Sequence, residues 1–165
     1  MVYLLDSNVF IEAQNRYYAF DIVPAFWDWM DTVIGPNVAT VAPVRDELIG
    51  KDDPLAAWMK QRQNDPWVLP VDDKATQEAY AEIAIELDGS NYRRPAIEKF
   101  LSGADPWLIA KAKVLKATIV THEVAAPDAV KRVPIPNLCV GRKVPCINTF
   151  DALRALQAQF RHHPR

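Results

Sequence analysis

Met1-Val2-Tyr3-Leu4-Leu5-Asp6-Ser7-Asn8-Val9-Phe10 is an apolar run that stops at a carboxylate, passes two small polar residues and resumes as a second apolar run. A short buried strand carrying Asp at its C-terminal tip, followed directly by a helix, accounts for this pattern. In open α/β sheets ligands bind outside the carboxyl ends of the strands, so the position of Asp6 directs attention to that edge. Three further segments deliver acids in similar settings: Arg45-Asp46-Glu47, Gly103-Ala104-Asp105-Pro106 and Thr121-His122-Glu123. Carboxylates that converge without Lys or Arg partners repel one another unless cations hold them together, and the pattern therefore points to a divalent-metal site.

Strand and helix signals alternate along the rest of the chain. A short helix is expected over 8–15. Pro24 starts a second helix, with Phe26, Trp27, Met30, Val33 and Ile34 as its apolar stripe, that stops at Gly35-Pro36. A strand at 38–41 leads to a helix running from Pro43 to Gly50. Asp52-Asp53-Pro54 caps the next helix, and 67–71 is a third extended segment. Asp72 or Asp73 opens a longer helix in which Ala75, Ala79, Ile83 and Leu87 recur at four-residue spacing. Arg93-Arg94-Pro95 leads to a helix with Ile97, Phe100 and Leu101, and Asp105-Pro106 begins one whose apolar face is Leu108, Ile109, Ala112 and Leu115. A strand at 118–121, a proline-containing loop over 122–136, a last short strand within 144–148 and a helix capped by Thr149 complete the pattern. Parallel strands need crossover connections that helices usually supply, so the expectation is a three-layer α/β/α domain spanning 1–165 with a central parallel sheet of four or five strands.

The composition, 50% apolar and 24% charged over 165 residues, is that of an ordinary globular domain with a full core. No apolar stretch approaches the roughly 20 residues needed to cross a bilayer, and Asp6 interrupts the N-terminus where a signal peptide would continue its apolar region. A cytoplasmic protein is expected, with Cys139 and Cys146 as two small buried thiols. The formal charge of -2 provides no global attraction for nucleic acid. Any phosphate contact must come from local basic segments: Arg93-Arg94, Lys111 with Lys113 and Lys116, Lys131-Arg132, Arg142-Lys143 or the tail Arg161-His162-His163-Pro164-Arg165. Five glycines and no glycine-rich phosphate loop leave dinucleotide binding and P-loop ATP hydrolysis without support.

Each acid also has a structural reading. Asp6 can cap the helix that follows, although Ser7 and Asn8 beside it can do the same. Asp46 and Glu47 lie in an early helical turn, where acids suit the macrodipole, and spacing alone leaves open which of them faces inward. Asp105 before Pro106 has the arrangement of an N-cap, Glu123 that of an exposed loop acid, and His122 that of a surface hydrogen-bonding residue. Taken together, oxygen donors with few nitrogens or sulfurs suit Mg2+ or Mn2+. Such ions bind phosphate oxygens and make bound water a better nucleophile, so phosphodiester hydrolysis is the natural reaction.

Tyr3-Leu4-Leu5-Asp6-Ser7-Asn8-Val9-Phe10-Ile11 resembles the first-strand motif of the PIN domain, a family of metal-dependent ribonucleases that includes VapC-type toxins of bacterial toxin-antitoxin systems. Ala104-Asp105-Pro106-Trp107-Leu108-Ile109-Ala110-Lys111-Ala112 is similar to that family's central helix motif, and Ile119-Val120-Thr121-His122-Glu123 to the strand that follows. Val41-Ala42-Pro43-Val44-Arg45-Asp46-Glu47-Leu48 resembles the segment where the family keeps an acid before a leucine, which selects Glu47. Ile135-Pro136-Asn137-Leu138-Cys139 with Cys146-Ile147-Asn148-Thr149-Phe150 looks like a PIN-related bacterial subfamily of largely uncharacterised proteins.

The resemblance implies a PIN-like fold and an endoribonuclease dependent on Mg2+ or Mn2+, with Asp6, Glu47 and Asp105 holding the metal and Glu123 completing the acidic cluster. It also implies an RNA substrate, a cognate antitoxin protein and a homodimer; Trp27, Trp29 and Trp58 include candidate contact residues, and core packing explains them as well. Many family members carry Asp at the fourth position; Glu123 is longer by one methylene, and Asp128 is the alternative ligand. Two rival readings are a PIN-like scaffold that binds RNA or protein without cleaving, and a haloacid-dehalogenase-type phosphatase. The latter generally needs a second acid two residues after the first, where this chain has Asn8.

Overall fold

The computed structural model describes residues 2–161; the end of the basic tail, 162–165, lies outside the described residues. Its centre is a parallel sheet of β1 (Tyr3–Leu5), β2 (Val38–Val41), β3 (Val68–Leu69), β4 (Thr118–Val120) and β5 (Cys146–Ile147), in the order β3-β2-β1-β4-β5. Every pairing is parallel, with Tyr3 opposite both Val38 and Thr118. The strands β1, β2 and β4 are buried along their whole length and made of Leu, Ile, Val, Ala, Tyr and Thr, as a sheet covered by helices on both faces requires. The five-stranded sheet is the expected architecture.

Helices supply the crossovers. These are α1 (Ser7–Glu12), continued by a π-helical turn at Ala13–Tyr17, then α2 (Pro24–Val33), α3 (Ala42–Ile49), α4 (Pro54–Arg62) and α5 (Lys74–Asp88). The series continues with α6 (Arg94–Leu101), α7 (Asp105–Leu115), α8 (Ile135–Arg142) and α9 (Thr149–Ala155). The strand order reverses at β1, which has β2 on one side and β4 on the other, and such a switch point opens a crevice at the carboxyl edge. Asp6 N donates to Val120 O (3.1 Å) and Thr121 N to Ile147 O (3.0 Å), so the ladder extends one residue past the tips and aligns them. Helices that lead back into a parallel strand run against it, which puts the start of α7 at the same edge as the ends of β1 and β4.

Several local expectations are corrected. The third strand is confined to Val68–Leu69 because Pro70, which has no N–H, ends the ladder within 67–71. The loop expected over 122–136 ends in α8, with Pro136 in its first turn, where a missing N–H costs nothing. Asp105 is the first helical residue of α7 rather than its cap; Ala104 occupies the cap position. The cap of α9 is Asn148, not Thr149, and its side chain accepts from Asp151 N at 2.9 Å. On α5 the buried position is Thr76 rather than Ala75, and Leu115 on α7 is exposed. Trp27 and Trp58 are core residues, Trp27 with its ring nitrogen donating to Tyr18 O at 2.7 Å, and so are not exposed contact residues. Cys139 is buried and Cys146 half-buried, both free thiols. No helix of the described residues is long and apolar enough to cross a membrane.

The long helices α5 and α7 are joined by a charge set into their apolar contact. Lys111, only 8% exposed, reaches Asp73 Oδ2 at 2.6 Å, while Asp73 also caps α5 by accepting from Thr76 N (3.0 Å) and Thr76 Oγ1 (2.8 Å). These donors hold the Asp73 carboxyl down at about 2, the Lys111 hydrogen bond contributing most. Asp53, by comparison, caps α4 through Ala56 N (2.8 Å) alone. Removing a cap costs about 1 kcal/mol, and removing Asp73 also strands a buried ammonium. Asp73→Ala is therefore expected to lower the urea midpoint clearly more than Asp53→Ala, and equal losses would show that the Lys111 pair adds nothing.

Candidate active site

Asp6 lies at the tip of β1 and is 1% exposed. It occupies the N-cap position of α1, but its side chain makes no cap hydrogen bond. Its Oδ2 instead accepts from Thr121 Oγ1 (2.9 Å) and Asn8 Nδ2 (3.4 Å), and its Oδ1 from Ser7 Oγ (3.3 Å). Burial pushes the Asp6 carboxyl up to about 6, with the charge of Glu123 adding to the effect against the opposing hydrogen bonds. Asp105 is pushed further, to about 7, first by burial and then by the charges of Asp6, Glu123 and Glu47. Repulsion felt at one carboxyl from three others means that the structure brings all four acids to one edge.

The other two acids are tethered by backbone amides at the starts of helices. Glu47 Oε1 accepts from Ala104 N (2.9 Å), which ties α3 to the start of α7. Glu123 Oε2 accepts from Ile135 N (2.6 Å), the first residue of α8. Thr121 joins the two halves of the cluster: its hydroxyl donates to Asp6 and accepts from Glu123 N at 3.1 Å. The sequence pattern pointed to Ser7 only as a helix cap and gave no role to Thr121 or these amides. Only Thr121 left a signal, as a polar residue that ends an apolar strand beside the acids.

The remaining candidates separate from the cluster. Asp46 and Glu47 are both exposed, but Asp46 pairs with Arg45 at 2.8 Å, whereas Glu47 reaches the amide before Asp105 and its charge acts on that carboxyl, so Glu47 is the acid of the cluster. Asp128 is exposed on the loop, lining a different groove with Asn91 and Tyr92, and its charge acts on neither Asp6 nor Asp105; it is no substitute for Glu123. His122 bonds Thr149 Oγ1 through Nε2 at 2.9 Å. Most basic segments are engaged elsewhere: Lys111 with Asp73, Lys113 with Glu82, Arg94 with Asp88 and Glu98, and Arg142 with Glu86.

Among the described residues none of the four clustered acids takes part in an ion pair. Asp105 accepts no hydrogen bond, and the second oxygens of Glu47 and Glu123 have no protein donor, again among the described residues. Oxygen donors alone, partly desolvated and mutually repelling, fit a hard divalent cation such as Mg2+ or Mn2+. As placed, no three His, Cys, Asp or Glu side chains among the described residues close into an ion cage. Glu47 and Glu123 each direct one oxygen onto a helix amide instead, so three-acid coordination requires a side-chain rotation.

The sequence matches the model of the Domain of unknown function DUF4411 over residues 3–160, and the chain belongs to that family. No curated protein matches the sequence. Among solved structures, VapBC2 from Rickettsia felis, bound to a DNA fragment from its promoter, is similar with a TM-score of 0.56 at 15% identity, covering 90% of this chain and 98% of that one. FitAcB from Neisseria gonorrhoeae matches with a TM-score of 0.54 at 20% identity, covering 90% and 99%. VapBC-1 from nontypeable Haemophilus influenzae matches with a TM-score of 0.55 at 15% identity, covering 90% and 98%. At these identities the likeness establishes the fold, which is the PIN-like fold expected from the sequence.

The raised carboxyls have a consequence for stability. A carboxyl whose folded-state pKa exceeds its unfolded value binds more protons in the native state, so the stability tied to it is present at low pH and lost as pH rises through the interval from about 4 to about 7. Without divalent ions, Asp105→Asn is expected to raise the unfolding free energy at pH 8 by on the order of 2 kcal/mol and to change it little at pH 4. Urea titrations at the two pH values check this; equal effects at both would mean that Asp105 is not under the repulsion described.

Proposed function

We propose that the protein is an Mg2+- or Mn2+-dependent endoribonuclease that hydrolyses RNA phosphodiester bonds and is the toxin half of a toxin-antitoxin pair. The observation that carries this reading is the group of four unpaired acids, Asp6, Glu47, Asp105 and Glu123, at the switch point of a parallel sheet. The similarity to the VapBC and FitAcB structures agrees with it and makes a small antitoxin protein the expected partner.

Asp6 and Asp105 would be the inner metal ligands, with Glu47 and Glu123 completing the set from the flanks. When bound, the cation supplies charge neutralisation at the phosphate and a lowered pKa for water. The chain's own residues do the rest. Thr121, Ser7 and Asn8 hold the Asp6 carboxylate in one orientation by donating to it, as the neighbours of a ligand must if ligand geometry is to be preserved. Asp105, near 7, can hold or release a proton at neutral pH, and a neighbouring cation favours its release. The amides of Ala104 and Ile135 fix how far Glu47 and Glu123 stand from the centre.

One observation favours the non-cleaving scaffold as the second reading: Glu123 is held away by Ile135 N, and no three acids close into a cage as placed. The two readings separate on one assay. With Mn2+, the wild type is expected to cleave single-stranded RNA and to lose the activity in EDTA. Asp6→Asn and Asp105→Asn are expected to reduce cleavage roughly a hundredfold or more without unfolding. Folded wild type that neither cleaves RNA nor takes up manganese in a calorimetric titration would assign the chain to the scaffold reading.

A further inference from the structure

Beside the acids runs an open groove of about 520 Å3 whose lining includes Asn8, Glu12, Arg16, Tyr17, Glu123 and Arg132. It is continuous with the acid cluster on two sides, since Glu123 belongs to both and Asn8 bonds the Asp6 carboxylate. Tyr17 stands in the π-helical turn after α1 and is 46% exposed. Its ring is backed edge-on by Phe150 (centroids 5.5 Å apart, interplanar angle 76°) and lies near-parallel to His122 (6.4 Å, 29°), which Thr149 holds in place. Tyr18 adds a third, tilted ring contact (6.4 Å, 53°), so the Tyr17 ring is braced by its neighbours while almost half of the residue stays exposed in the lining of the groove. Of the groove's two cations, Arg16 is paired with Glu12 at 2.9 Å, whereas Arg132 is exposed and has no ion-pair partner among the described residues.

We propose that this groove is the path of a single-stranded RNA segment, with an unpaired base stacked on Tyr17 and a backbone phosphate on Arg132. This rests on the nuclease reading and names two residues that position its substrate. An aromatic face with a cation beside it is how sequence-tolerant single-strand sites are built: the ring takes any base, and the cation takes the phosphate. A base within a duplex is already stacked on its neighbours and cannot lie on Tyr17, so the groove selects unpaired segments. Arg132 also answers an electrostatic need. A polyanion approaching four carboxylates requires a cation outside the cluster, and the chain's net charge of -2 provides no general attraction. Tyr17 and Arg132 are positioning residues that set where the strand lies relative to the acids.

The test measures binding separately from cleavage. Fluorescence anisotropy with a short labelled single-stranded RNA in EDTA is compared for wild type, Tyr17→Ala, Tyr17→Phe and Arg132→Ala, with the matching duplex as control. Tyr17→Ala is expected to weaken single-strand binding about tenfold, Tyr17→Phe to restore it, and neither to change duplex binding. Arg132→Ala is expected to reduce the slope of log affinity against log salt by roughly 0.7, the value for one phosphate contact on a single strand. Wild-type affinity in both alanine variants overturns the proposal, including the case in which this face instead meets a protein partner. If the wild type cleaves RNA with Mn2+ while the groove variants bind normally, the groove fails and the nuclease reading stands. If Tyr17 and Arg132 control binding but no cleavage occurs, the nuclease reading fails and the groove stands.

Discussion

Repulsion among carboxylates that have no cationic partner is the constraint around which the carboxyl edge of this molecule is organised. Asp6 and Asp105 are pushed up to about 6 and about 7 because burial removes water while neighbouring acids add negative charge. A fold selected for stability alone would place a Lys or Arg here. Lys111 on the same helix as Asp105 is instead directed to Asp73, away from the cluster. Three of the acids are held by neutral donors, Asp6 by hydroxyls from Thr121 and Ser7 and the amide of Asn8, and Glu47 and Glu123 each through one oxygen by the backbone amides of Ala104 and Ile135. Such donors orient a carboxylate without cancelling its charge, and this leaves the charge available to a ligand.

The sheet makes the convergence possible. Strand order β3-β2-β1-β4-β5 puts the first strand of the chain in the middle, so residues far apart in sequence arrive at neighbouring tips. Asp6 follows β1, Glu123 follows β4, Glu47 lies on the helix after β2, and Asp105 begins the helix that leads into β4. The Thr121 to Asp6 hydrogen bond joins positions 115 residues apart and closes the switch point between β1 and β4. The same topology puts the Tyr17 turn and the 122–132 loop beside the acids, one following the first strand and the other the fourth.

Much of the architecture was legible in the sequence because local and global signals agree. Apolar runs ending in polar residues mark the buried parallel strands, and Pro or Asp at helix starts marks most of the helices. Asp6, Asp105 and Glu123 stood out for the same reason, at the end of an apolar run or the start of a helix, whereas Glu47, expected in an early helical turn, lies in the second half of α3. Three things were not legible. Pro134 and Pro136 made the start of α8 look like loop, since a proline in a first helical turn and a proline in a rigid connection read alike. The partners of Glu47 and Glu123 are backbone amides 57 and 12 residues away, which no side-chain pattern encodes. The choice between Asp46 and Glu47 depends on the Arg45 pair that engages Asp46 and on the Ala104 amide that takes Glu47, and a helix-face argument from spacing alone contains neither.

The central claim is that the four acids converge to share a cation. Crystals soaked in manganese and measured at its absorption edge test this most directly. The account predicts an anomalous peak bounded by Asp6 and Asp105, with Glu47 or Glu123 turned from its helix amide towards it. A well-ordered carboxyl edge with no peak there, or manganese bound only at acids elsewhere on the surface, would contradict it.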